Sequence, residues 1–235
     1  MSIINSLTKR STLDAAIKQI GKARKSEAGL AEQLYKGAYQ GFAKVISDNL
    51  TISQALYYWG FGLLHQAEQQ DPEQAIATLE DAVSKFSFCL LIAPHYLGAA
   101  IDGGVAYMTL ARLSTTEAKP RLYSKAEQFF ETAGEIQKGS AAYNLACIYA
   151  LKGDETACLN ALTLARQTGS LPDEPVILQD SDLASIIETD WFKQFIADLH
   201  TQPAVAASTK TEAVDIDYEP KMKLKKSEDF DYYSK

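Results

Sequence analysis

The chain has 235 residues, 46% apolar and 23% charged, the balance of one or two globular domains. No window approaches eighteen consecutive apolar residues, and Ile3, Ile4 and Leu7 are too few for a secretory signal, so neither a membrane-spanning helix nor an exported chain is expected. The formal net charge is −7, but residues 1–25 carry six Lys/Arg against one Asp (+5) and residues 26–200 carry eleven against twenty-two acids (−11), and an acidic body disfavours nucleic acid as a partner.

Strand signals are scarce, while Ala, Leu, Glu, Gln and Lys dominate the periodic segments. The spacing predicts a helix from Ser11 or Thr12 to about Arg24, with Leu13, Ala16, Ile17 and Ile20 on one face and Lys9, Arg10, Lys18, Lys22, Arg24 and Lys25 around them. A second helix opens at Ser26 and a third runs from about Ser53 to Gln69. Asp71–Pro72–Glu73 is a restart signal, with Asp as cap, Pro in the first turn and an acid behind it; that helix ends before Pro94. Further helices are expected at roughly 96–113, 121–137, 140–151, 154–168 and 181–200, with a glycine turn at Lys152–Gly153–Asp154. Beyond Thr201 no apolar periodicity remains, and 201–235 reads as a flexible charged and aromatic tail.

The helices come in similar pairs. Ala82, Phe86, Cys89 and Pro94 follow small–x3–aromatic–x2–small–x4–Pro. Ala126, Phe130 and Ala133 repeat this spacing, as do Cys158, Leu162 and Ala165 with an aliphatic residue. Among the first helices, Tyr58–x2–Phe61–Gly62–x2–His65 parallels Ala100–x2–Gly103–Gly104–x2–Tyr107 and Ala142–x2–Leu145–Ala146–x2–Tyr149. In these residues the chain resembles the tetratricopeptide repeat family, most specifically over 140–168 and fairly over 55–138. The resemblance implies an all-α solenoid of antiparallel helix pairs. Residues 1–50 would be an N-terminal helical extension or divergent repeat. Residues 51–200 would form the solenoid, with a capping helix at 180–200 whose Leu183, Ile186, Ile187, Phe192, Phe195 and Leu199 cover the last repeat.

The resemblance also implies a concave groove lined by first helices. By the repeat spacing Trp59, Leu63, Ile101, Asp102, Val105, Tyr143, Asn144 and Cys147 face inward. Asn144 stands where carboxylate-clamping relatives place an asparagine, but Gly60 and Asp102 replace the basic residues of such a clamp. A mostly apolar groove with aromatic anchors suits an apolar helix or peptide of another protein. Inter-repeat packing is the competing role for Trp59 and Tyr143. In the tail, Tyr218, Met222, Leu224, Phe230, Tyr232 and Tyr233 form a second candidate recognition motif.

No P-loop, nucleophile elbow or EF-hand spacing is present, so no enzyme and no cofactor is expected. Cys89, Cys147 and Cys158 form no CxxC and read as reduced thiols of a cytoplasmic protein, and three scattered histidines do not build a zinc site. Asp173, Glu174, Asp180, Asp182, Glu188 and Asp190 read as a solvated acidic face. The leading expectation is a non-catalytic adaptor, scaffold or assembly chaperone. The alternative is a peripheral organiser whose basic first helix rests on a membrane surface.

Overall fold

Capping residues start the helices where the chain has few other breaks. The Asp71 carboxylate accepts from the Gln74 amide at 3.1 Å, and that of Asp154 accepts from Ala157 at 2.9 Å. Gly153 and Gly169 end helices in the left-handed region, at φ 74° and 72°, where a side chain would be strained. The computed structural model describes residues 3–47 and 51–201. In chain order the helices are α1 (Ile3–Ala23), α2 (Ala28–Ile46), α3 (Ile52–Ala67), α4 (Pro72–Ile92), α5 (Leu97–Leu113), α6 (Lys119–Ile136), α7 (Ala142–Lys152), α8 (Glu155–Thr168), α9 (Glu174–Leu178) and α10 (Asp190–Thr201). No strand occurs among the described residues.

Consecutive helices pack as antiparallel hairpins: α1 with α2, α3 with α4, α5 with α6 and α7 with α8. The neighbouring first helices α1 and α3, and α3 and α5, also touch directly, which the second helices barely do. The array is therefore tighter on the first-helix side, and that side is the inner one. It is the helical-repeat solenoid of the tetratricopeptide type. Phe42, Phe86 and Phe130 are each fully buried in successive second helices, and Leu162 fills the same place in α8. Small residues opposite them let the backbones approach.

Two sequence expectations are revised. Residues 180–200 do not form one helix. The Asp180 side chain accepts from the Asp182 amide and starts a 3-10 turn at Ser181–Leu183; the chain then turns through 184–189 before α10. This detour seats Leu183 and Ile186, 0% and 3% exposed, in the core of the last pair. A short helix, α9, also lies between the expected helices at 154–168 and 181–200.

The second revision concerns register. Gly60, and not Gly62, faces the buried phenylalanine of its own pair: a Cβ on Gly60 would sit 2.9 Å from the Phe86 ring, just as one on Gly104 would collide with Phe130. Gly62 instead meets Ile20 and Tyr39 of the preceding pair. The frame of α3 is thus Leu56–x3–Gly60–x2–Leu63, two residues earlier than Tyr58–x3–Gly62–x2–His65. The stripe on α3 moves with it.

At the N-terminus, α1 buries Leu13, Ala16, Ile20 and Ala23 in one cluster with Ala31, Tyr35, Ala38 and Phe42 of α2. Its apolar stripe is consumed by packing, leaving Arg10, Lys18, Lys22 and Lys25 exposed.

Candidate functional site

The inner face is built from stripes on α3, α5 and α7. On α3 the stripe is Tyr57, Phe61 and His65, four residues apart. The Tyr57 ring packs on Phe61, Phe86 and Tyr96, and its hydroxyl donates to Asp102 Oδ2 on α5 at 3.1 Å. Gly98 makes room for this ring, since a Cβ there would lie 2.9 Å from it. Phe61 is half-buried; the Arg24 guanidinium, just past α1, lies 5.0 Å from its centroid, and His65 meets it edge-on. These contacts join the first three first helices into one surface.

Asp102 is 1% exposed, and its Oδ1 is buried without a partner. Burial pushes its carboxyl up to about 7, partly offset by the Tyr57 hydrogen bond and by Arg24. His65 Nδ1 meets the Glu68 carboxylate at 3.2 Å, and its Nε2 is buried and unpartnered. The inner face thus holds a polar joint whose groups are only partly satisfied.

At the other end the capping segment closes over α7. Tyr143 donates to Asp180 Oδ2 at 2.8 Å, and the Cys147 thiol lies 3.6 Å from the same oxygen. Arg112, at the end of α5, binds Asp182 Oδ2 at 2.6 Å. Cys147, Asp180 and Asp182 bring three potential metal ligand atoms within 4.8 Å of one another. Their capacity is already used: Arg112 neutralises Asp182, Tyr143 engages Asp180, and burial pushes the Cys147 thiol well up. The cluster is a polar clasp between cap and repeat. Asp180 and Asp182 therefore leave the solvated acidic face on which the sequence placed them. No spacing rule could reveal this, because the partners lie 37 and 70 residues away.

The expected groove residues fall into separate groups. Trp59 is half-buried and points to the outer side, stacked on Tyr39 and Phe42 of α2 with the Lys85 ammonium of α4 4.8 Å from its ring. Leu63 is 6% exposed, inside the α3–α4 core. Ile101, Tyr143 and Cys147 share the core of the last two pairs, and Tyr143 and Cys147 lie beneath the cap. Asp102 is buried against Tyr57, while Val105 and Asn144 are half-buried. Tyr57, Phe61, His65 and Arg24 are the residues that the repeat spacing missed. Gly60–x2–Leu63, set against Gly104–x2–Tyr107, is the sequence signal that agrees with this stripe, but Gly62–x2–His65 fits the spacing equally well. Tyr218, Met222, Leu224, Phe230, Tyr232 and Tyr233 lie outside the described residues. All three cysteines are buried and free. No helix among the described residues is long and apolar enough to cross a membrane.

A solved structure of a thermophilic TPR protein from Thermus thermophilus is similar over 83% of this chain and 92% of its own, with a TM-score of 0.50 and 19% identity, a likeness of fold alone. No curated protein matches the sequence. The profile of a family described as plant specific mitochondrial import receptor subunit TOM20 matches residues 30–169, from the start of α2 to the end of α8. That match spans more than half of the sequence and the helices that build the inner face, and the chain belongs to this TOM20 family.

Proposed function

We propose that the protein is a non-catalytic receptor that holds a segment of another protein against the inner face of its solenoid, at the cytosolic side of mitochondria. The observation that carries this reading is the family match over α2–α8. An import receptor meets targeting segments, which are amphipathic, Arg-rich and poor in acids. One feature of the inner face and one of the acidic body suit such a ligand. Phe61 offers a half-buried aromatic surface for an apolar side chain, between Tyr57 and His65. Residues 26–200 carry the excess of acids that draws a basic segment by long-range attraction.

The test is fluorescence anisotropy with a labelled amphipathic, Arg-rich targeting peptide and a scrambled control that keeps composition but loses amphipathicity. The reading expects saturable binding of the amphipathic peptide that weakens with salt, and at least about tenfold weaker binding of the scrambled one. Equal binding of both peptides, or binding unchanged by Phe61→Ala with the fold intact, would reject it.

A further inference from the structure

Phe88, Leu91 and Ile92 on α4 are 56%, 76% and 53% exposed. Spaced i, i+3 and i+4, they form one apolar patch on the last two turns of α4. The cause is geometric. The Cys89 thiol donates to the Ser53 carbonyl at 3.2 Å, so residue 89 lies level with the second residue of α3. The final turn of α4 therefore extends past the start of α3, and no helix among the described residues covers its outer side. Phe86 and Cys89 on the opposite side are fully buried.

We propose that residues 218–226 of the chain's own C-terminal tail dock on this patch, with Tyr218, Met222 and Leu224 over Phe88, Leu91 and Ile92. α10 ends at the patch's own edge of the solenoid. Trp191 Nε1 donates to Glu155 at the start of α8, and Arg166 near its end donates to the Asp198 carbonyl. So α10 runs parallel to α8. In a stack of antiparallel hairpins α4, α6 and α8 all end at the same edge, and the tail leaves α10 at the edge where the patch lies.

The tail is also long enough. α10 lies against α8, and the path α10–α8–α7–α6–α5–α4 is five steps of about 10 Å, which bounds the span at about 50 Å. The seventeen residues 202–218 extend to at most about 58 Å, so Tyr218 can reach the patch.

Charge favours the same segment. Met222 and Leu224 are flanked by Lys221, Lys223, Lys225 and Lys226, while exposed Glu80 lies about two turns before Phe88 on α4; its neighbour Asp81 is paired with Lys85. Size separates a tethered occupant from a second copy. Three side chains, even at about 200 Å² each, fall short of the roughly 800 Å² per partner of a stable interface. The tether makes docking intramolecular, which lets a small contact suffice. This proposal is independent of the inner-face reading.

The experiment places the photo-cross-linker benzoylphenylalanine at position 222 of the full-length protein and maps the products by mass spectrometry. It is paired with hydrogen exchange of the 218–226 amides. The proposal expects intramolecular cross-links to residues 84–95, and amide protection of 218–226 at least about fivefold above that of 203–212. Both should be lost in the Phe88→Ser/Leu91→Ser double variant, whose circular dichroism and Tm stay close to wild type because the two side chains are exposed. Cross-links to Tyr57 or Phe61, a cross-linked dimer that grows with protein concentration, or signals indifferent to the double variant would each overturn it. So would the absence of both cross-links and protection.

Discussion

Arg112 and Asp182 meet at 2.6 Å across 70 residues of chain, and this pair fastens the capping segment to the end of α5. The Asp182 side chain is 10% exposed and the Arg112 side chain 47%, so water screens one partner and barely reaches the other. Asp182→Ala should therefore destabilise the protein by only about 1 kcal/mol, an effect that shrinks with salt. Urea denaturation at low and high salt measures this. Limited proteolysis should show earlier cleavage within 184–189, the turn that the clasp holds. A cleavage pattern identical to wild type would deny the clasp its role.

Glycines in the solenoid separate into two kinds. A methyl group on Gly104 would collide with the Phe130 ring, and one on Gly60 would press on Phe86 at 2.9 Å. Gly104→Ala should cost about 1–3 kcal/mol, and Gly60→Ala less, because its ring has less far to move. Gly21 and Gly134 have open space around the same position within α1 and α6, so alanine there should stabilise by up to about 1 kcal/mol. Thermal denaturation of the four variants checks the ordering.

Asp102 gives the stability a pH dependence whose sign is fixed. Its carboxyl is pushed from 3.8 up to about 7 in the folded chain. Between those values the folded protein keeps a proton that the unfolded chain has released, so this residue's contribution falls as pH rises through the window and levels off above it. Asn at position 102 can accept from Tyr57 but does not ionise. Asp102→Asn should match wild type near pH 4 and exceed it above pH 7, by about 2–4 kcal/mol at most. Denaturation midpoints across this range, compared between the two proteins, test it; a constant difference would refute the buried ionisation.

The two faces of α3 should answer differently to truncation. Trp59 is stacked between α2 and α4, so Trp59→Ala should cost about 3 kcal/mol of stability and alter ligand affinity only through the fold. Phe61 presents its half-buried ring under Arg24 on the inner face, so Phe61→Ala should weaken peptide binding by about 2 kcal/mol or more at a smaller stability cost. Isothermal titration beside thermal melts separates these outcomes.

The sequence by itself determined the local and repeated features of this protein. Asp71–Pro72 and Lys152–Gly153–Asp154 mark helix boundaries through the hydrogen bonds and dihedral angles those residues supply. The spacing Ala126–Phe130–Ala133 recurs because each hairpin must solve the same packing problem. Tertiary structure alone decided which of two nearby glycines on α3 faces Phe86, because Gly60 and Gly62 both satisfy the local pattern and only the neighbouring helices distinguish them. That choice turns Trp59 outward and Tyr57 and Phe61 inward. It also decided the fate of Asp102, Asp180 and Asp182, whose partners Tyr57, Tyr143 and Arg112 are remote in the chain. Helix signals act over a few residues and are written in consecutive positions, whereas burial of a charge depends on which helices are brought against it.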